Sequence, residues 1–350
     1  MKQILLKPLI TPPKTDIFFG LHALLESCST KQGVILVDSA ITHSHGKAIQ
    51  KQLHYELIEV PSGEKNKTRK VKETLEDELS KRKMGRDSTI VAMGGGVTTD
   101  LVGFMASTYL RGLPLVLLPT TLLAMVDAAI GGKTGVDTPF GKNLIGSFYL
   151  PKAIFIEIDF LKTLPEKEMK NGLSEILKYG LIQKSSIWKT CQGNWQQEIS
   201  SLIEQSIQCK VDIVQKDYEE KGGLRRILNF GHTVGHALEL ISHYQMGHGE
   251  AVALGCMAES FLSHLLGYLP EESLHEILIL YQKLGYAFKE LDTPAFLQAL
   301  QMDKKTKNGV PRFVMIDAIG HAVPFDGEYC RTAAVKDLEE LTQWMQHGQR

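Results

Sequence analysis

Two histidines four residues apart, His232 and His236 in Gly231-His232-Thr233-Val234-Gly235-His236, share one helical face and have the spacing of a pair that binds one metal ion. Such pairs are also common as ordinary core or surface residues, so the spacing needs support. His248 supplies it in Gly247-His248-Gly249-Glu250, as do Glu175 and Lys178, which share a face of an earlier helical segment. Three nitrogen or oxygen ligands with an open position describe a catalytic zinc site, and with no thiolate nearby the set is His/His/Glu. A second chemistry lies in Gly94-Gly95-Gly96-Val97-Thr98-Thr99-Asp100, where a strand ends and a helix begins. Backbone without Cβ can approach a pyrophosphate, and a helix start offers N–H groups to it. Asp38, at the end of an earlier strand, is placed to accept from ribose hydroxyls. Glu64 and Lys67 leave the next strand in a glycine-containing loop on the same edge. A third group is cationic: Lys133, Lys142 beside Asn143, Lys178, Lys210, and Arg225 with Asn229. Several of these stand in glycine-rich or apolar stretches, where a charge is costly unless it meets an anion. They point to a small substrate carrying phosphate, carboxylate or both.

The elements that must hold these residues divide the chain in two. Its 350 residues are about twice a usual domain. The first half alternates strands (Val34–Val37 ending at Asp38, Tyr55–Val60, Ser88–Met93, Pro114–Leu118, Ala153–Ile158) with helical stretches such as Lys67–Arg82. That alternation predicts an α/β domain with a parallel sheet and flanking helices over residues 1–160. The glycine turn follows the third of these strands rather than the first, so this is not the ordinary dinucleotide fingerprint. From about Pro165, Glu168–Ile182, Trp195–Tyr218, Leu224–Ile241 and Glu250–Leu266 show a 3.6-residue period, predicting a mainly α-helical domain over 161–350.

The charge balance, 39 Lys and Arg against 40 Asp and Glu, excludes a dedicated nucleic-acid binder. Five scattered cysteines without a C-x-x-C pair fit reduced thiols in a cytoplasm. The first residues have no apolar run suited to a secretory signal. Gly112–Val126, the longest uncharged run, is too short and proline-broken to span a membrane.

The strings GGGVTTDLVGF, TYLRGLPLVLLPTTLLAMVDAAIGGKTGVD, GKNLIGSFYLP, LKTLP, GLSEILKYG, LRRILNFGHTVGHALE and HGEAVALG, with PSGEKNK before them and MDKK and RFVM after, resemble the 3-dehydroquinate synthase family of sugar phosphate cyclases from about Pro61 to Met315. The resemblance implies an N-terminal nucleotide-binding domain, a C-terminal helical domain and an active site in the cleft between them. It implies NAD, a divalent metal (zinc, with cobalt as a substitute) and a homodimer. The implied substrate is a phosphorylated sugar acid, 3-deoxy-D-arabino-heptulosonate 7-phosphate, converted to 3-dehydroquinate and phosphate in the shikimate pathway of aromatic amino acid biosynthesis. The implied course is transient oxidation by NAD, phosphate elimination, re-reduction, ring opening and intramolecular aldol closure, so the net reaction is that of a carbon–oxygen lyase.

Carried over by motif, the metal ligands are Glu175, His232 and His248, which moves His236 to the substrate side. NAD contacts fall on Asp38, Glu64, Lys67, Gly95, Gly96, Asp100, Thr120, Thr121, Lys133, Lys142 and Thr163. Substrate contacts fall on Asp127, Lys133, Asn143, Lys178, Lys210, Arg225, Asn229, His236 and one of Lys304 or Lys305. Arg111 resembles the arginine that reaches the substrate phosphate across the dimer. Alternative readings are another sugar phosphate cyclase, for a substrate without the carboxylate, or a metal-dependent polyol dehydrogenase. A non-enzymatic NAD-binding scaffold would leave the filled metal and cation positions without a purpose. Arg225, Asn229 and Lys210 favour the carboxylate-bearing substrate.

Two positions depart from the family pattern: Thr99 stands where glycine is usual and Asp137 where asparagine is common. Thr99 could crowd the NAD turn, or its hydroxyl could cap the helix start. Weaker NAD binding is the most that the first effect should cause. Calorimetric titration of NAD into Thr99→Gly measures it; an affinity equal to that of the parent chain rules crowding out.

Overall fold

The computed structural model describes residues 14–28, 32–289, 291–302, 310–325 and 328–347. Lys304 and Lys305 lie outside the described residues. The chain forms two compact units, one running to Pro119 and taking in Gly132–Glu157, the other made of Thr120–Gly131 and everything from Ile158.

The first unit is built on β1 (Asp16–Phe19), β2 (Gly33–Asp38), β3 (Glu56–Val60), β4 (Thr89–Gly94), β5 (Leu115–Pro119), an antiparallel hairpin of β6 (Lys133–Thr138) and β7 (Gly141–Phe148), and β8 (Ala153–Ile156). Its helices are α1 (Leu24–Ser27), α2 (Lys47–Leu53), α3 (Arg69–Lys81) and α4 (Gly96–Thr108). Six strands pair in parallel in the order β1-β8-β5-β4-β2-β3. Strands β4, β5 and β8 are buried at every residue, as a sheet covered on both faces requires. The edge strands β1 and β3 are mixed, and short β1, with only apolar Ile17, Phe18 and Phe19 to mark it, escaped the sequence reading.

The strand order explains where the glycine turn sits. From β2 the chain moves outward to β3, then returns to place β4 on the other side of β2. The reversal makes a topological switch point at the carboxyl ends of β2 and β4, and there an open parallel sheet leaves a crevice for a ligand. Asp38 ends β2, and Gly94 ends β4 directly before Gly95 and the start of α4.

The β6–β7 hairpin was not foreseen. Its strands cross so closely that Gly135 faces Gly146, and a Cβ on Gly146 would lie 2.1 Å from the Thr134 carbonyl oxygen. It lies against α4, since a Cβ on Gly103 would meet the Thr134 side chain at 2.6 Å.

The second unit contains α5 (Glu166–Ile182), α6 (Ser185–Gln192), α7 (Ile199–Lys216), α8 (His232–Ile241), α9 (His248–Leu265), α10 (Glu271–Lys283), α11 (Thr293–Met302) and α12 (Val335–His347). Short antiparallel pairs, β9 (Arg312–Phe313) with β12 (Arg331–Thr332) and β10 (Ile316–Ala318) with β11 (His321–Ala322), interrupt the helices. The stretch Leu224–Ile241, expected as one helical segment, is broken: a 3₁₀ turn over Leu224–Asn229 precedes α8. The break falls at Gly231, whose φ of +77° is a left-handed conformation that glycine adopts without strain. Among the described residues no helix is long and apolar enough to cross a membrane.

Gly146→Ala should force the hairpin strands apart, because the obstacle is backbone and cannot rotate away. We expect a loss of about 1–3 kcal/mol in stability, measured by urea unfolding, with weakened NAD binding if β7 carries cofactor contacts.

Candidate functional site

Within the first unit the sequence-selected residues gather at the switch point. Asp38 accepts from the Ala40 amide at 3.0 Å, from the Ser62 hydroxyl, and from Thr98 of α4 at 3.3 Å, which ties the end of β2 to the first turn after the glycines. Lys67 is buried; its Nζ meets the Asp100 carboxylate at 2.5 Å and the Asn143 Oδ1 at 2.7 Å. Burial opposes the Lys67 charge, yet Asp100 and Glu64 raise its pKa above the ordinary lysine value. Lys142 lies 3.5 Å from Glu64. Gly95 is the N-cap of α4, with no side chain between the first-turn amides and a ligand.

Both departures from the family pattern find an explanation. Thr99 does not cap those amides: it is the fourth residue of α4, and its hydroxyl donates back to the Gly96 carbonyl at 3.1 Å, the nearest acceptor inside a helix. Asp137 accepts the Asn143 amide at 2.8 Å and so holds Asn143 at a left-handed φ of +54°. An asparagine oxygen could accept the same bond. Burial pushes the Asp137 carboxyl up. Lys133 and Arg111 are exposed, and Arg111 too has a left-handed φ, +68°.

Within the second unit, Glu175, His232 and His248 bring one ligand atom each to within 4.8 Å of one another. His232 is the first residue of α8 and His248 the first of α9. Glu175 lies on α5, fully buried. Its Oε1 is 3.5 Å from His232 Nε2 and 3.6 Å from His248 Nε2, while Lys178 pairs with Oε2. Neither Glu175 oxygen accepts a well-formed hydrogen bond. His232 Nδ1 lies 3.1 Å from the Phe230 carbonyl, which can only accept, so this contact places a proton on Nδ1 and leaves Nε2 facing Glu175. A buried carboxylate and two imidazole nitrogens converging without hydrogen bonds suit a divalent cation. His236, paired with His232 by spacing, is not part of this cluster; its ring centroid lies 5.6 Å from that of His232 and 6.5 Å from that of His248.

Glycines make this convergence possible. A Cβ on Gly255 of α9 would lie 1.8 Å from the Gly231 carbonyl oxygen, and one on Gly249 would lie 2.3 Å from the Asn171 Cα of α5. The helices therefore meet backbone to backbone at both histidine-bearing ends.

The cations of this unit are also buried. Lys178 Nζ donates to the Leu228 carbonyl at 2.9 Å. Lys210 Nζ donates to both the carbonyl (2.7 Å) and carboxylate (2.8 Å) of Asp127, which accepts from Tyr179 at 2.7 Å. Burial alone would raise the Asp127 pKa, but the Lys210 and Lys178 ammonium groups hold the carboxyl well below the usual range. Arg225 donates to the carbonyls of Gly131 (3.2 Å) and Tyr218, which fix the guanidinium. Asn229 donates to Glu220 at 3.2 Å. Of the remaining NAD candidates, Thr120 is buried, Thr121 caps the turn at Ala124, and Thr163 donates to the Phe160 carbonyl at 3.3 Å.

With this geometry established, comparison with known proteins decides the family. The 3-dehydroquinate synthase N-terminal profile matches residues 57–171 and the 3-dehydroquinate synthase C-terminal profile residues 172–306. The chain belongs to the 3-dehydroquinate synthase family. A 3-dehydroquinate synthase of Methylacidiphilum infernorum is 44% identical over 269 residues, 76% of this chain and 75% of that protein. One of Chlorobaculum tepidum is 35% identical over 334 residues, 90% of this chain and 91% of that protein. The structure of ValA, a 2-epi-5-epi-valiolone synthase of Streptomyces hygroscopicus subsp. jinggangensis 5008 with NAD+ and Zn2+ bound, superposes with a TM-score of 0.86 at 25% identity and covers 99% of each chain.

Sequence reasoning overlooked the acids that support the family's motif residues. Asp217 accepts the Gly222 and Arg225 amides at 2.8 and 3.0 Å, bracing the loop before Arg225. Glu239 lies 3.6 Å from His248 Nδ1. An acid among mainly apolar neighbours, as Glu259 is in the later part of α9, was the signal available.

The Asp127 carboxylate contributes stability above its unfolded pKa of about 4, and this is lost as pH falls through the lower folded value. Lys210→Met removes its main partner. We expect about 2–3 kcal/mol of destabilisation at pH 7 by urea unfolding, and a shallower further loss below about pH 4 than in the parent protein.

Proposed function

We infer that this chain is a 3-dehydroquinate synthase, which converts 3-deoxy-D-arabino-heptulosonate 7-phosphate to 3-dehydroquinate and inorganic phosphate. The observation that carries this reading is the Glu175–His232–His248 cluster with Lys178 against its buried carboxylate, in a chain whose residues 57–306 match the two family profiles. We propose that the enzyme acts as a carbon–oxygen lyase with catalytic NAD and a divalent metal, zinc or cobalt, in the cytoplasm and as a homodimer.

Bound, NAD supplies a reversible hydride acceptor and the metal a Lewis acid that acidifies a substrate hydroxyl. Glu175, His232 and His248 would hold the metal. The donor set fits: one anionic and two neutral ligands leave positive charge and open positions for substrate oxygens. Gly95 and Gly96 would present the α4 amides to the pyrophosphate, and Asp38 would accept from a ribose hydroxyl. Lys67, locked between Asp100 and Asn143, orders two flexible side chains before any ligand arrives. Lys178 places an ammonium against the metal-binding carboxylate, where it can also donate to substrate. Arg225, Lys210 and Asn229 would receive the anionic groups. Asp127 and Tyr179 fix the Lys210 ammonium, so its direction is set in advance. His236, beside the cluster and outside it, would take a substrate contact. Arg111 is assigned to the substrate phosphate of a partner subunit.

Purified protein given the heptulosonate phosphate, catalytic NAD and zinc should release inorganic phosphate with no net NADH. A requirement for stoichiometric NAD would assign a dehydrogenase instead. Glu175→Gln and His248→Ala should each lose bound metal and at least about 100-fold in turnover. Full turnover in metal-depleted His248→Ala would overturn the metal assignment.

A further inference from the structure

Glu259 is fully buried near the middle of α9, and no step above uses it. Its Oε2 accepts the Gly231 amide at 2.9 Å, and Oε1 accepts the amides of Thr233 and Val234 at 3.2 and 3.3 Å. These are the N–H groups that bracket His232 at the start of α8. No side chain of α8 or of the segment before it caps them, because the N-cap is Gly231. The cap comes from the neighbouring helix instead.

Two physical consequences meet at His232. The first is geometric. Gly231 has left-handed backbone, and the adjoining 3₁₀ turn ends at Asn229, so the direction of the His232 side chain depends on how this glycine joint is held. Glu259 holds amides on both sides of the histidine, and the Phe230 carbonyl fixes the ring through Nδ1. The second is electrostatic. A helix N-terminus carries a partial positive charge, which opposes a cation bound by the helix's first residue. A carboxylate seated on those amides offsets that opposition at the one ligand whose helix start it touches.

We propose that Glu259 is a positioning residue for the metal centre: it presets His232 in the metal-free protein and makes the start of α8 tolerant of a cation. This rests on the reading of Glu175, His232 and His248 as metal ligands. The same carboxylate thereby joins two helices that each begin with a ligand, so α8 and α9 act as one rigid jaw facing Glu175.

The test measures metal affinity directly. Zinc binding to apo Glu259→Gln is titrated against a competing chelator, with His232→Ala, the parent protein and NAD affinity in parallel. Glutamine keeps the size but halves the acceptors and removes the charge. We expect zinc affinity to fall about 10- to 100-fold while NAD affinity is unchanged. Zinc affinity within twofold of the parent, in a variant that still binds NAD, overturns the proposal. If the parent binds no zinc that His232→Ala abolishes, the metal-site reading itself fails, which is a separate outcome. Should Glu259→Gln not fold, hydrogen exchange on the parent decides. The amides of Gly231, Thr233 and Val234 should be protected in the metal-free protein as strongly as in the zinc-loaded one. Protection that arises only with zinc would show that Glu259 presets nothing.

Discussion

The second unit is organised around one costly object, the carboxylate of Glu175, fully buried on α5. An isolated charge in such a place would be destabilising by several kcal/mol, so the surroundings must answer it. Lys178 answers from the next turn of the same helix, and two imidazole nitrogens complete a set that a divalent cation would satisfy. For these groups to converge, the start of α8 must lie against α9, and the start of α9 against α5. That demand accounts for Gly231, Gly249 and Gly255, where any side chain would strike backbone.

The first unit meets a different constraint. A cofactor with a pyrophosphate needs exposed amides at a helix start, and a parallel sheet offers these only where strand order reverses. The reversal lies between β2 and β4, which unites Asp38 with the glycine turn. Lys67 then crosslinks α4, through Asp100, to the hairpin residue Asn143. A lysine is suited to this position because one ammonium can donate to a carboxylate and an amide oxygen at once.

Acids recur as the supports of the residues that would bind ligands. Asp127 aims Lys210, Asp217 braces the loop before Arg225, Asp137 holds the Asn143 backbone, and Glu239 lies beside His248. Each places its negative charge next to main-chain amides or a cation, so orientation is set before substrate binds. The near-neutral total charge of the chain thus averages over cationic side chains inside the fold and the acids that hold them.

Much of this was legible in the sequence. Continuous apolar runs identified β2, β4 and β5, because a strand buried on both faces leaves no polar position. The set Glu175, His232 and His248 came from the family resemblance of the motifs that carry them. Spacing alone paired His236 with His232, but a shared helical face says nothing about where a third ligand will arrive, and His236 lies outside the cluster of three. The sequence could not show the β6–β7 hairpin, whose glycine-rich strands lack an apolar alternation, nor the break before α8, where the helical period runs on through Gly231. It also left Asp217, Glu239 and Glu259 unassigned. A local pattern determines an element and the face it buries; which carboxylate reaches which amide depends on backbones brought together from distant parts of the chain. Glu259 and Gly231 are 28 residues apart, and only the packing of α9 on α8 makes them partners.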